Sequence, residues 1–453
     1  MAFKDILHNL PEVQPPTEKK LSFNVKLKWT LIILGSFFVL ANIPLYGLAN
    51  NAMARFEYLA IILGTDFGSI ISLGIGPIVM ASIILQLLVG SKILDIDTSS
   101  EEGKKFFSGL QKLMVFFFII FEAMVYVLMK GLEAVPGLAW LVILQLTLGG
   151  LLIVFMDELS HKWGFGSGVS LFIAAGVGWR LFTGLFQFLG PEQTIQLSGK
   201  IPVLITSIIA ANTTEALKAL ATILATVILF LIVVWAQSLK VEVPLSFDRL
   251  RGYGIKWPLS FFYASVIPVI LTAALVANLQ LFGGLFQGWL GHATFLGNYV
   301  QGQAVSGLGF WLGSTNLVEG AITGRLRSSF LLQGLTHIIF FMIFATIFSI
   351  FWVKTSGMDA QAQAHNILSS GLQIPGFRKD ERVLESVLSR YVMPLTVMGG
   401  AAIGLLAATA DLLGTIGSGT ALLLGIMIMF QFYQNIAQQH AMDMNPAMKK
   451  LIG

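Results

Sequence analysis

Cysteine is absent from this 453-residue chain, which excludes disulfide scaffolds, thiolate metal sites and cysteine nucleophiles. Charge is scarce. Asp, Glu, Lys and Arg make up 11% of the residues, against roughly 25% in soluble domains. Length alone would suggest two or three soluble domains, but so little charge cannot cover their surfaces. The net charge of +4 is too small for a dedicated nucleic-acid binder. The six histidines form no i, i+4 pair, and no H-E-x-x-H occurs. Gly103-Lys104-Lys105 lacks the upstream glycine and the hydroxyl residue of a nucleotide cradle. Gly164-Phe165-Gly166-Ser167-Gly168 imitates a nucleophile elbow, but Phe165 stands where that turn needs glycine. No enzyme, metal or cofactor is expected.

What the chain has is apolar length. Its mean hydropathy is +0.80, and 55% of its residues are hydrophobic. A membrane-spanning helix needs about 20 mostly apolar residues. Such runs fall at 29–48, 72–91, 109–130, 137–157, 168–188, 218–239, 258–279, 330–353, 391–411 and 418–437. Ten spans put both termini on one side. With a cytoplasmic N-terminus, the inside segments hold twenty Lys and Arg residues and the outside segments five. The positive-inside rule therefore assigns both termini to the cytoplasm. Five lysines break up residues 1–28, so no cleavable signal peptide is expected.

The segments between spans differ in character. Phe3, Ile6, Leu7 and Leu10 share one face of a short amphipathic helix suited to the inner membrane surface. Residues 53–66 are too short to span and run into Gly64 and Gly68, which suggests a half-helix dipping in from outside. Val241, Val243 and Leu245 alternate with Glu242 and Pro244 before Arg251-Gly252-Tyr253-Gly254, the pattern of a β-hairpin in the cytoplasmic loop 240–257. A second inside loop, 354–390, carries Arg378-Lys379-Asp380-Glu381-Arg382, and the outside stretch 280–328 is Gly-rich with no clean span.

Within the spans, two pairs stand at i, i+4 beside glycine-loosened backbone: Ile75 with Val79, and Val169 with Ile173. Span seven carries Ile267-Pro268, and span ten opens with Gly417-Ser418-Gly419-Thr420. Glu122, Arg180 and His337 are ionisable residues inside spans and should face protein or water.

Several of these stretches together resemble the SecY family, the channel-forming subunits of protein translocases. They are Leu73-Gly74-Ile75-Gly76-Pro77-Ile78-Val79, Gln86-Leu87-Leu88-Val89-Gly90 and Gly166-Ser167-Gly168-Val169-Ser170-Leu171-Phe172-Ile173-Ala174-Ala175-Gly176. Val241-Glu242-Val243-Pro244-Leu245, Gly376-Phe377-Arg378-Lys379 and Pro394-Leu395-Thr396-Val397-Met398 continue it, with an archaeal flavour. The resemblance implies an all-α membrane protein whose ten helices form two inverted five-helix halves around an hourglass pore. The halves would be 29–189 and 190–437, flanked by cytoplasmic segments 1–28 and 438–453. Pro77 and Pro268 sit in comparable places in the two halves, as an inverted repeat requires.

Carried over by position, the family's pore ring is Ile75, Val79, Val169, Ile173, Ile267 and Leu424. Its plug is the segment 54–65, with Phe56, Leu59, Ile62, Leu63 and Thr65. Its lateral gate lies between spans two and three and spans seven and eight. Ser82, Gln86 and Glu122 are placed to close that gate by hydrogen bonds of about 0.5–2 kcal/mol each. Arg249, Arg251, Arg378 and Lys379 occupy the family's docking loops for the ribosome or, in bacteria, a motor ATPase. The implied partners are a SecE-type gamma subunit, a small beta subunit, the ribosome, signal sequences with their nascent chains, and lipid. The expected location is the plasma membrane. The rival reading is a secondary transporter with broken helices, but its midplane would need a polar solute site rather than aliphatic residues. An intramembrane protease would need a nucleophile that is missing here.

Overall fold

The computed structural model describes residues 10–18, 21–51, 53, 65, 67–96, 100–188, 198–247, 254–300, 303–369, 372–373 and 380–444. From the N-terminus, α1 (Phe23–Ala41) leads to the short strand β1 (Leu48–Asn51) and then to α2 (Gly76–Gly90). Next come α3 (Glu101–Leu128), β2 (Leu132–Ala134), α4 (Ala139–Trp163) and α5 (Gly168–Phe186). The second half opens with the short α6 (Lys200–Ile209) and α7 (Thr213–Ser238), followed by the strands β3 (Lys240–Phe247) and β4 (Gly254–Ser260). After α8 (Ile267–Leu290) the chain forms β5 (Asn298–Val300), β6 (Gln303–Ser306), α9 (Leu308–Leu312) and α10 (Leu317–Ile322). It ends with α11 (Ser328–Thr355), α12 (Ala360–Ser369), β7 (Leu372–Gln373), α13 (Glu381–Leu412) and α14 (Gly419–Met444).

Among the described residues, nine helices are long and apolar enough to cross a membrane, and α2 is a tenth, shorter one. All ten expected spans are present. Their ends are set by local chemistry. Ser100 caps α3 by accepting from Gly103 N at 3.1 Å, and Asn212 caps α7 by accepting from Glu215 N at 3.3 Å. Gly291, at φ +74°, ends α8 in the left-handed conformation that glycine tolerates.

Several boundaries differ from the hydropathy reading: α3 and α13 begin eight and ten residues before the expected 109 and 391, and three further spans shift for reasons of local structure. Span one sits earlier than 29–48, because Leu48–Asn51 pairs with β2 as a strand. Span seven starts at Ile267 rather than 258, because Gly254–Ser260 belongs to the hairpin, and α8 then runs on to Leu290, into the stretch read as spanless. Hydropathy does not distinguish a buried strand or turn from a buried helix. Span two shrinks to 15 residues, about 22 Å of helix, because residues 67–75 reach it through turns.

The expected hairpin exists. β3 and β4 pair antiparallel from Lys240↔Ser260 to Ser246↔Gly254. β7 joins the other edge of β3 through Ser246↔Gln373 and Phe247↔Leu372, so the two loops form one small sheet. Its Val243 and Leu259 pack with Ile367, Leu384 and Leu388 of α12 and α13.

One central cluster draws buried side chains from α1, α2, α5, α7, α8, α11, α13 and α14. A second joins α2, α3 and α4 to Ala277, Leu281 and Leu285 of α8. The outward face of α7 exposes Leu217, Leu224, Phe230, Leu231 and Trp235, a face that lipid satisfies. Residues 10–18 lie along the end of α4. Val13 N donates to Glu158 Oε2 at 3.0 Å, and Trp163 Nε1 donates to Gln14 O at 3.1 Å. Lys162 pairs with Glu12, and Lys112 with Glu158. The segment 3–10 falls outside the described residues except for Leu10.

Candidate functional site

Four helices begin in the middle of the molecule, and their starts carry the candidate ring. Before α2 the chain winds through successive three-residue turns, with Ser72 N, Gly74 N and Gly76 N donating to Ser69 O, Ile71 O and Leu73 O. Ile75 precedes the first helical residue, and its carbonyl accepts from Val79 N at 3.0 Å. Pro77 stands in the first turn, where a missing N–H costs no helix bond. α8 repeats the construction: Val266 precedes the helix, Pro268 is its second residue, and Val266 O accepts from Ile270 N at 3.2 Å.

The starts of α5 and α14 follow Gly-Ser-Gly turns, and each is capped from the preceding span. Asp157 of α4 accepts from Val169 N at 2.9 Å, and Asp411 of α13 accepts from Thr420 N at 2.7 Å. Neither aspartate was singled out from the sequence. The available signal was an acidic residue eleven or eight positions before Gly168 or Gly419, inside an otherwise apolar span.

These four starts bring the ring residues into one cluster. Ile75, Ile173 and Leu424 are fully buried in it, and Val79 is nearly so. Val169 and Ile267 are half-buried and pack against the same cluster. All six side chains are aliphatic and offer no group to coordinate an ion. Beside it lies a cavity of about 620 Å³ lined by polar groups including Gln280, Gln333, His337, Asp411 and Thr420. His337 Nδ1 lies 2.7 Å from Leu312 O, and its Nε2 lies 3.4 Å from Asp411 Oδ2. Thr420, which lines this cavity, lies about one helical turn before Leu424.

Of the candidate gate residues, Ser82 and Glu122 lie between α2 and α3. α2 packs against both α8 and α11, and Gly90 is so close to Phe351 of α11 that a Cβ there would lie 2.4 Å from its ring. Ser82 Oγ donates to Ile78 O and accepts from Gln111 Nε2, both at 2.8 Å, so these bonds stay within α2 and α3. Glu122 is 0% exposed. Among the described residues neither of its carboxyl oxygens, nor Gln86 Oε1, has a hydrogen-bond partner. His337 is also buried, and Arg180 is half-buried.

Of the plug segment only Thr65 is described, with its hydroxyl donating to Ile71 O at 2.6 Å. Phe56, Leu59, Ile62 and Leu63 fall outside the described residues, as do the docking candidates Arg249, Arg251, Arg378 and Lys379. The strands leading to both basic clusters are nevertheless paired at Ser246↔Gln373.

Ten apolar helices among the described residues, sharing one apolar core, define a multi-pass membrane protein. The family follows from comparison. The chain belongs to the SecY family, whose pattern matches residues 69–433. It is 43% identical to the protein translocase subunit SecY of Methanothermobacter thermautotrophicus, covering 100% of this chain and 98% of the relative. Among solved structures, one described as a protein conducting channel is 37% identical with a TM-score of 0.84, covering 99% of both chains. A channel in the canine ribosome-channel complex from the endoplasmic reticulum is 36% identical with a TM-score of 0.80, again covering 99% of both. The chain is thus a channel-forming subunit of a protein translocase.

Proposed function

We propose that unfolded polypeptides cross this channel through the ring of Ile75, Val79, Val169, Ile173, Ile267 and Leu424. Hydrophobic transmembrane segments leave sideways between α2 and α3 on one side and α8 and α11 on the other. The observation that carries this reading is the convergence of six aliphatic side chains, from helices of both halves, on one cluster. A dry aliphatic ring blocks ions at rest and closes around a chain of any sequence, because it makes no sequence-specific contact. The plug, over 54–65, seals the vestibule until a chain enters. No group in the ring performs chemistry, so the driving force comes from a partner.

The twenty-to-five distribution of basic residues supports both termini in the cytoplasm, and the membrane we assign is the plasma membrane. On that assignment the β4-β3-β7 sheet lies on the cytoplasmic side, and the pairing of β3 with β7, the strands that precede the segments bearing Arg249, Arg251, Arg378 and Lys379, supports a shared docking site. Their charge suits ribosomal RNA phosphate, with a motor ATPase as the alternative occupant of the same loops. A SecE-type subunit would brace the two halves, divided at residues 189–190, and a beta subunit would lie at the periphery.

The test is a stalled nascent chain on the reconstituted complex, with a photocrosslinker at position 75 or 267. Crosslinks to the chain are expected at both positions. Saturable uptake of a small solute without such crosslinks would favour the transporter reading instead.

A further inference from the structure

The two halves share a device at the starts of α5 and α14. In each, the first helical residue is glycine, Gly168 or Gly419, and the residue before it is serine. In each, the second helical N–H, of Val169 or Thr420, donates to an aspartate of the preceding span. The serine hydroxyl donates to the same Oδ1, from Ser167 to Asp157 at 3.4 Å and from Ser418 to Asp411 at 3.1 Å. The serine also caps the third N–H, of Ser170 or Ala421, at 3.4 Å in both.

The glycines show how tightly the spans are joined. A Cβ on Gly168 would lie 2.6 Å from Asp157 Cα, and one on Gly419 would lie 2.3 Å from Asp411 N. The backbone of each aspartate thus touches the start of the next helix, and its carboxylate completes that helix's unsatisfied donors at the end where a negative charge is favoured.

Five residues beyond each glycine stands a ring candidate, Ile173 or Leu424, both fully buried in the central cluster. Five residues are about 7.5 Å of helix. A slip of one residue would shift either side chain by about 1.5 Å and turn it by roughly 100°, enough to remove it from the ring. We propose that Asp157 and Asp411 are paired positioning residues that fix the depth and rotation of α5 and α14, and so keep Ile173 and Leu424 level across the waist. The inference rests on the ring reading above. Asp411 additionally accepts from the Thr420 hydroxyl, and His337 Nε2 of α11 lies 3.4 Å from its Oδ2.

The chain's lack of cysteine makes the test direct. Ile173→Cys and Leu424→Cys are placed singly in the reconstituted complex, and the labelling rate of this chain is measured with a membrane-impermeant maleimide. Asp411→Ala is expected to speed labelling at position 424 about fivefold, the factor carried by loss of a typical helix cap, and to leave position 173 unchanged. Asp157→Ala is expected to do the converse. Asparagine, which keeps the acceptor oxygen, should restore slow labelling, and Ser167→Ala and Ser418→Ala should give smaller shifts in the same directions. Should an alanine variant fail to assemble, the serine variants carry the test. Equal acceleration at both positions, no acceleration, or asparagine behaving as alanine would overturn the proposal. Crosslinking of a nascent chain to position 424 in the channel with both aspartates intact tests the ring by itself, so the two failures are distinguishable.

Discussion

Glu122 of α3 lies against Gly76 of α2: a Cβ built on that glycine would stand 3.0 Å from the carboxyl Oε2. The glycine is what allows a carboxyl group to lie beside the start of the helix that follows Ile75 and carries Val79, two of the ring candidates.

That contact changes the sign expected for the gate. The sequence suggested that Ser82, Gln86 and Glu122 hold the gate shut with hydrogen bonds. Yet among the described residues Glu122 has no such partner, and an unsatisfied buried polar group costs about 1–3 kcal/mol. Admission of water to an open gate relieves that cost. Glu122→Leu is therefore expected to favour the closed state and to lower export of weakly signalled proteins several-fold, with strongly signalled ones little affected. Unchanged or improved export of weak signals would refute this.

The ring should be sensitive to polarity more than to size. Leu424→Asn or Ile173→Asn is expected to wet the waist and raise resting ion conductance of the channel in planar bilayers. Val79→Ala, which shortens a side chain without adding a polar group, should leak less. Leu424→Ala should also cost about 2–5 kcal/mol of stability as a buried cavity, visible in a thermal melt.

Docking through the small sheet is expected to weaken with salt. Arg249→Ala or Arg378→Ala should reduce the slope of log affinity against log salt by about one each, measured by ribosome co-sedimentation. Charge reversal that leaves both affinity and slope intact would remove these arginines from the interface.

The segment 10–18 should detach from α4 in acid. Its hydrogen bond to Lys162, opposed by partial burial, holds the Glu12 carboxyl below its ordinary value. A lowered carboxylate stabilises the contact above its unfolded pKa, near 4.3, and this is lost as pH falls through the bound-state value. The pair is largely exposed on the Glu12 side, so the effect is small, about 1 kcal/mol or less. Hydrogen exchange at residues 12–14 should rise as pH drops below about 4 after correction for intrinsic rates. Glu12→Gln should abolish that dependence.

Much of this molecule was legible in one dimension because lipid demands it. Twenty-residue apolar runs, basic loops and period-two strands leave local signatures, so the ten spans, the expected sidedness and the hairpin followed from residue order. The i, i+4 pairs Ile75 with Val79 and Val169 with Ile173 were visible for the same reason, since a helix face is a local property. The joining of β7 to β3, the convergence of six aliphatic residues, and the reach of Asp157 and Asp411 to the next helix depend on packing between segments. Hydropathy carries no information about which buried residue meets which. The tertiary structure alone decided that Glu122 has no hydrogen-bond partner among the described residues, and that two Gly-Ser-Gly turns, 251 positions apart in the chain, are the same joint built twice.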